Sequence, residues 1–175
     1  MSVDQVALRP IVEEDLETLE RFSVEPEAAG LFGWLGWSGP GRWRRKWAKN
    51  GFFDAEGGLL LVVNGAERLG FVSWRRILTA QTSHCWNLGI ALLPEARGRG
   101  FGTRAQRLLV EYLFAHTQVV RVEAVTEDAN LAEQRALEKA GFTREGVLRG
   151  YSFRNGHWRD GVIYSVLREE VDLPG

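Results

Sequence analysis

Apolar and polar positions alternate in short runs along most of this chain, and at intervals the period lengthens to that of a helix. Val6 and Leu8 alternate with Ala7 and Arg9 before Pro10, the pattern of a short first strand. Glu13, Glu14 and Asp15 then favour a helix start, and Leu16, Leu19 and Phe22 fall on one face of the helix they open. Between Val24 and Phe53 the pattern loosens: Pro26, Pro40 and several glycines interrupt Trp34, Trp37, Trp43 and Trp47, so short helices and loops are expected. Leu59 to Trp74 reads as two strands joined at Asn64-Gly65, a dipeptide suited to the positive φ angles of a hairpin turn. A further strand covers His84 to Leu93.

Beyond it, Ala105, Leu108, Leu109, Tyr112 and Leu113 recur at helical spacing with Arg104, Arg107 and Glu111 on the opposite side. Val119 to Thr126 is a β-branched strand, and Ala132, Ala136, Leu137 and Ala140 mark a second amphipathic helix that Gly141 can end in a left-handed conformation. Two strands follow, Thr143 to Phe153 and Trp158 to Leu167, around a turn at Asn155-Gly156. The expected architecture is α+β: a mixed, mostly antiparallel central sheet flanked by helices, with a strand-helix-strand unit at its centre.

Composition narrows the picture. A chain of 175 residues with 45% hydrophobic content suits one domain, residues 1–175, with a sizeable core. Its net charge of −1 provides no global field for nucleic acid or an acidic membrane surface. The lone Cys85 excludes an intramolecular disulfide and a CxxC metal knuckle, so no metal is expected and a reducing compartment fits. The start "MSVDQVALRP" has no leader pattern, and no apolar run reaches the roughly 20 residues of a spanning helix, so a soluble, cytoplasmic protein without a membrane partner is expected.

Candidate chemistry concentrates in "LPEARGRGFGT", where a strand hands over to a helix. Glycine lets successive N–H groups converge, and a helix N-terminus adds partial positive charge, so Arg97, Gly98, Arg99, Gly100, Phe101, Gly102 and Thr103 read as an anion nest for a phosphate or pyrophosphate. A plain glycine-rich turn with two solvated arginines has equal standing on the glycines alone. No lysine follows Gly102 as a Walker loop requires, and the glycine spacing is wrong for a Rossmann fingerprint.

The segments "ALLPEARGRGFGTRAQRLLVEYLF", "NLAEQRALEKAGFTREGVLR" and "NGHWRDGVIYSVL" together resemble the GNAT acyltransferases, in particular their RimJ/RimL-like branch, which includes ribosomal-protein N-terminal acetyltransferases. "LRPIVEEDLETL" extends the likeness weakly to the beginning. Its most specific element is [RQ]xxGx[GA], met by Arg97, Gly100 and Gly102. The resemblance implies acetyl-CoA or another acyl-CoA as co-substrate, its pyrophosphate on Arg97 to Thr103. It also implies a splayed strand pair, the strand ending at Leu92-Leu93 and the strand Val119 to Thr126, that admits the pantetheine arm. Backbone groups at Ala91, Leu92 and Leu93 would bind the pantetheine amides, and Asn130 would contact the arm unless it serves only as a helix N-cap. A nearby strand N–H would polarise the thioester carbonyl.

For catalysis the candidates are Glu133 as base or water orienter, Tyr151 as proton donor and Asn87, which stands where the family often has Glu. The family also has Ser where Glu133 stands, an acidic residue where Ser152 stands and Tyr where Leu137 stands. His84, His157 and Asp160 are further polar candidates, and Cys85 as an acyl carrier is the weakest, since isolated cysteines are usually buried hydrophobes. The expected function is an acyl-CoA-dependent N-acyltransferase acting on a peptide N-terminus or a small amine. A non-catalytic acyl-CoA-binding sensor is the alternative. "RWRRKW", Arg42 to Trp47, supplies a third reading, an RNA-associated module, although a solvated helix face with two inward tryptophans accounts for it equally. Exposed final strands, which in this family often pair across subunits, allow a homodimer.

Overall fold

The computed structural model describes residues 3–173. Its framework is one eight-stranded sheet: β1 (Val6–Arg9), β2 (Phe53–Asp54), β3 (Gly57–Asn64), β4 (Glu67–Ala80), β5 (Ser83–Leu92), β6 (Arg121–Glu127), β7 (Thr143–Arg154) and β8 (His157–Leu167). The spatial order is β1-β3-β4-β5-β6-β8-β7, with β2 on β3, and β5–β6 is the parallel pair among otherwise antiparallel neighbours. Helices α1 (Leu16–Val24), α2 (Pro26–Ala29) and α3 (Arg42–Asn50) precede β2; α4 (Phe101–His116) joins β5 to β6 and α5 (Leu131–Lys139) joins β6 to β7. This is the α+β sheet expected from the alternation. No helix among the described residues is long and apolar enough to cross a membrane.

The two sheet faces bury different helices. Val72, Trp74, Leu88, Val122, Ala124 and Val162 receive Phe101, Ala105, Leu109 and Leu113 of α4. Leu59, Leu61 and Val63, pointing the other way, receive Leu16 and Leu19 of α1 and Trp43 of α3. Within α4 the buried stripe is rotated from the sequence reading: Gln106, Val110 and Phe114 are buried, whereas Tyr112 lies at the surface. Trp43 donates to Ser23 Oγ at 2.7 Å and Trp47 to the Ile11 carbonyl at 3.1 Å. Their basic neighbours stay exposed, Arg44 pairing with Glu13. The "RWRRKW" tryptophans thus anchor α3 to the body, as an amphipathic helix requires.

Three local expectations are corrected. The first hairpin turns at Gly65-Ala66, one residue later than Asn64-Gly65. Asn64 remains in the strand opposite Glu67, and Gly65 alone adopts the left-handed φ, +59°. At the last hairpin, Asn155 and Gly156 both adopt it, at 50° and 78°, which suits the strand twist. Strand β4 continues past Trp74 to Ala80, pairing with β5 as far as Ser83. Strand β6 begins at Arg121, two residues later than its apolar run suggested.

Asp15 ties the first elements together. Its side chain is fully buried, accepts from Arg9 of β1 at 2.6 and 2.9 Å, from Arg68 of β4 at 2.6 Å and from the Val12 N–H at 3.0 Å. Burial alone would raise its carboxyl pKa, but these bonds together hold it well below the usual carboxylate range. A carboxyl so depressed contributes stability above its unfolded pKa of about 4, and that contribution is lost as pH falls towards the folded value. Asp15→Asn should therefore cost about 2 kcal/mol in urea unfolding, less than a fully buried pair because both arginines reach water, and should flatten the acid limb of the stability curve.

Candidate functional site

The central cleft exists because two neighbouring strands stop pairing. Strands β5 and β6 share only the pairs Trp86–Val122, Asn87–Glu123 and Leu88–Ala124. Both continue beyond, and each stays paired on its outer side, Leu92 with Gly70 of β4 and Glu127 with Gly161 of β8. The facing edges of Gly89–Leu92 and Val125–Glu127 are therefore left without a strand partner, displaying N–H and C=O groups towards a cavity of about 850 Å³. Helix α4 starts at one end of this opening, and α5 flanks it.

At the α4 end the chain makes the turn its glycines permit. Gly98 and Gly100 have φ of +71° and +81°, conformations that side chains rarely adopt, and Gly100 is the residue before the first helical turn. The first N–H bonded back within the helix is that of Arg104, to the Gly100 carbonyl. The N–H groups of Phe101, Gly102 and Thr103 precede it and are the free donors of a helix start. Gly98, Gly100, Gly102 and Thr103 all line the cavity, as do Ala91 and Leu92.

Four expected residues take other roles. Arg97 also borders the cavity, yet its guanidinium donates to the carbonyls of Leu92 at 2.9 Å, Glu27 at 3.2 Å and Ala28. The end of α2 has unsatisfied carbonyls, and Arg97 satisfies them, pinning α2 to the end of β5. Arg99 lies over the Phe101 ring, 4.6 Å from its centroid, and Phe101 itself is buried in the main core; neither borders the cavity. Leu93 packs with Phe22 and Ala28, and its N–H is taken by the Leu69 carbonyl at 2.8 Å, which removes it from the cleft edge.

On the other wall, Asn130 caps α5: its Oδ1 accepts from the Glu133 N–H at 3.3 Å and its amide donates to Thr126 Oγ1 at 3.0 Å, while it still borders the cavity. The N-cap reading of this residue is therefore the one the geometry carries. Glu133 lies in the first turn of α5 and accepts from Gln106, a fully buried residue of α4. Burial in this largely apolar wall pushes its carboxyl up to about 7, the Gln106 bond opposing the rise. The Gln106 Oε1 has no donor, so an amide turned the other way would accept a hydrogen bond from the neutral carboxyl O–H. Tyr151, on a bulge of β7, borders the cavity from the far side and is 46% exposed.

Asn87 does not border this cavity. Its side chain lies between Arg75 of β4, at 3.2 Å, and Glu123 of β6, at 3.3 Å, and lines a smaller hollow of about 390 Å³ beside α3. Gly89 borders both spaces. His84 stacks edge-on with Trp86, His157 sits on the exposed hairpin, and Asp160 accepts from the Gly150 N–H at 2.7 Å, shaping the β7 bulge. Cys85 is buried, and burial together with nearby Glu123 pushes its thiol up to about 11, so it remains protonated. No group of three or more metal-ligating side chains occurs among the described residues.

The family resemblance implies that the tryptophan-rich segment Leu31 to Phe53 covers the acceptor side, but several cavity residues are not singled out individually by the sequence. Glu127 is held by Arg154 through two bonds, 2.5 and 2.8 Å, with both side chains nine-tenths buried or more. Phe32, Leu31 and Leu35 come from the irregular stretch after α2. Arg135, Ala136 and Lys139 of α5 also face the opening. Ala132 and Ala136 had looked like core positions. Their small side chains make room for a ligand, while Leu137 alone is fully buried.

Residues 5–143 match the family model "Acetyltransferase (GNAT) domain". A probable N-acetyltransferase, YjcK of Bacillus subtilis, is 37% identical over 83 residues, 47% of this chain and 46% of that protein. The putative ribosomal N-acetyltransferase YdaF of the same organism is 31% identical over 129 residues, 73% of this chain and 66% of that one. The matched part spans about half the length of the first curated relatives. Spermidine N-acetyltransferase from Vibrio cholerae, solved in complex with CoA and spermine, superposes with a TM-score of 0.81 at 18% identity, covering 95% of this chain and 98% of that one. The family match over most of the chain and the shared open sheet lead to one conclusion: this chain belongs to the GNAT acetyltransferase family.

Proposed function

We propose that this chain is an acyl-CoA-dependent N-acyltransferase, with acetyl-CoA as donor and a primary amine of a peptide N-terminus or small molecule as acceptor. The observation that carries the reading is the parting of β5 from β6, which leaves two unpaired strand edges leading to a glycine-built helix start. A long ligand with amides along its arm and a diphosphate at its end is complementary to that sequence of groups. The edges of Gly89–Leu92 and Val125–Glu127 offer amide partners, and the N–H groups of Gly102 and Thr103 offer an anion cradle. Positive φ at Gly98 and Gly100 keeps Cβ atoms out of the cradle. The relatives named N-acetyltransferase, and the Vibrio cholerae complex with CoA and spermine, support the same donor and an amine acceptor.

Bound acetyl-CoA would supply the activated acyl group and a thiolate leaving group. Glu133 would hold or move the proton this exchange requires, because a carboxyl near 7 is populated in both forms at neutral pH. Tyr151 would border the acceptor, and Asn130 would fix both the start of α5 and the donor arm beside it. Asn87, outside the main cavity, would act as a hydrogen-bonding neighbour of Glu123, since a neutral amide cannot be a base.

The reading is tested by calorimetry with CoA and by thiol release from acetyl-CoA in the presence of an amine panel. CoA binding without release for any amine would support the sensor instead. Gly100→Val should raise the CoA Kd at least about tenfold while costing about 1–3 kcal/mol of stability through backbone strain. Glu133→Gln should slow turnover about 100-fold and leave CoA affinity nearly unchanged. A carboxyl raised on folding binds its proton more tightly in the native state, so stability should fall as pH rises from about 4.3 through 7. Urea midpoints across that interval should show this slope in the parent protein and lose it in Glu133→Gln.

A further inference from the structure

Besides its strand edges and glycine turn, the cavity carries an apolar wall. This wall is formed by Leu31, Phe32 and Leu35 from the stretch between α2 and α3, and by Tyr151 from β7. Leu31 and Leu35 are 66% and 79% exposed, a large apolar surface left uncovered beside the cleft. The charges bordering the cavity are already committed or of one sign. Both oxygens of Glu127 are held by Arg154, whose guanidinium in turn lies 5.4 Å from the centre of the Phe32 ring. Glu133 sits on the α5 wall with Gln106, Arg97 serves backbone carbonyls, and Arg135 and Lys139 are cations.

Among the described residues that border the cavity, none is a carboxylate free to hold a second ammonium group. Bringing an extra cation against this wall would remove its water without a counter-charge, and the Phe32 ring, already engaged by Arg154, would return little. A body that is apolar or aromatic would instead cover Leu31, Phe32, Leu35 and Tyr151. Resting on the transferase reading above, we propose that the acceptor is a small primary amine carried on an apolar or aromatic body, with no second positive charge. Its amine would point towards the parting of β5 and β6, and its body would lie against the 31–35 stretch. Polyamines, the acceptor type in the Vibrio cholerae complex, would be disfavoured by the same wall.

Thiol release from acetyl-CoA is measured with phenethylamine, spermidine and a serine-initiated peptide as acceptors, for the parent chain and for Leu35→Glu. Leu35 is so exposed that the substitution should leave the thermal transition and the CoA affinity in place, and both are measured alongside. The expected result is a kcat/KM at least tenfold higher for phenethylamine than for spermidine or the peptide. Leu35→Glu should lower the phenethylamine value at least fivefold, mainly through KM, and narrow its lead over spermidine. Preference for spermidine or for the peptide, or an unchanged phenethylamine value in Leu35→Glu, overturns the proposal and leaves the transferase reading standing. CoA binding without thiol release for any acceptor overturns the transferase reading, and this proposal with it.

Discussion

Three residue pairs hold β5 to β6, and the functional reading depends on there being no fourth. A strand edge left unpaired inside a protein is costly unless something else satisfies it, so strands normally stay together to their ends. Here each of the two strands is kept straight by its outer neighbour, β4 on one side and β8 on the other, which prevents the pair from closing again. The cleft is thus a property of the whole sheet. Its walls are hydrogen-bonded strands on their outer sides, and preorganisation of this kind spares a ligand the cost of ordering its own site.

Around that opening, neighbours decide what each ionisable group does. Glu127 and Glu133 are carboxyls on the same cavity, one at the end of β6 and one in the first turn of α5. Arg154 holds the first below the ordinary carboxylate range, whereas burial with a neutral amide lifts the second to about 7. Such separation of two like groups by environment is what proton-transfer chemistry needs. The arginines divide in the same way. Arg97 belongs to a glycine motif and looks like a phosphate ligand, but the carbonyls at the end of α2 claim its guanidinium. What it stabilises is the position of α2 and the stretch that follows it.

The elements were legible where local chemistry alone decides them. The helical character of α4, the strand character of β6 and the Asn155-Gly156 turn follow from local pattern, because spacing and backbone preference act within a few residues. The glycines before α4 were legible for the same reason: Gly98 and Gly100 occupy backbone conformations that disfavour other residues. Less was legible where an outcome depends on what lies opposite. The first hairpin turns one residue later, beyond a register shift of β3 against β4 at Val62–Val63, and α4 is rotated so that Gln106 is buried.

The site divides along the same line. The sequence by itself determined the strand-to-helix turn and its free backbone N–H groups, since those rest on φ angles and helix ends. Tertiary structure decided that β5 and β6 part after Leu88 and Ala124, that Phe32 meets Arg154, and that Glu133 meets Gln106. Each of those contacts joins segments distant along the chain. Burial, counter-charge and the loss of a strand partner are created by packing, so no local pattern of residues encodes them.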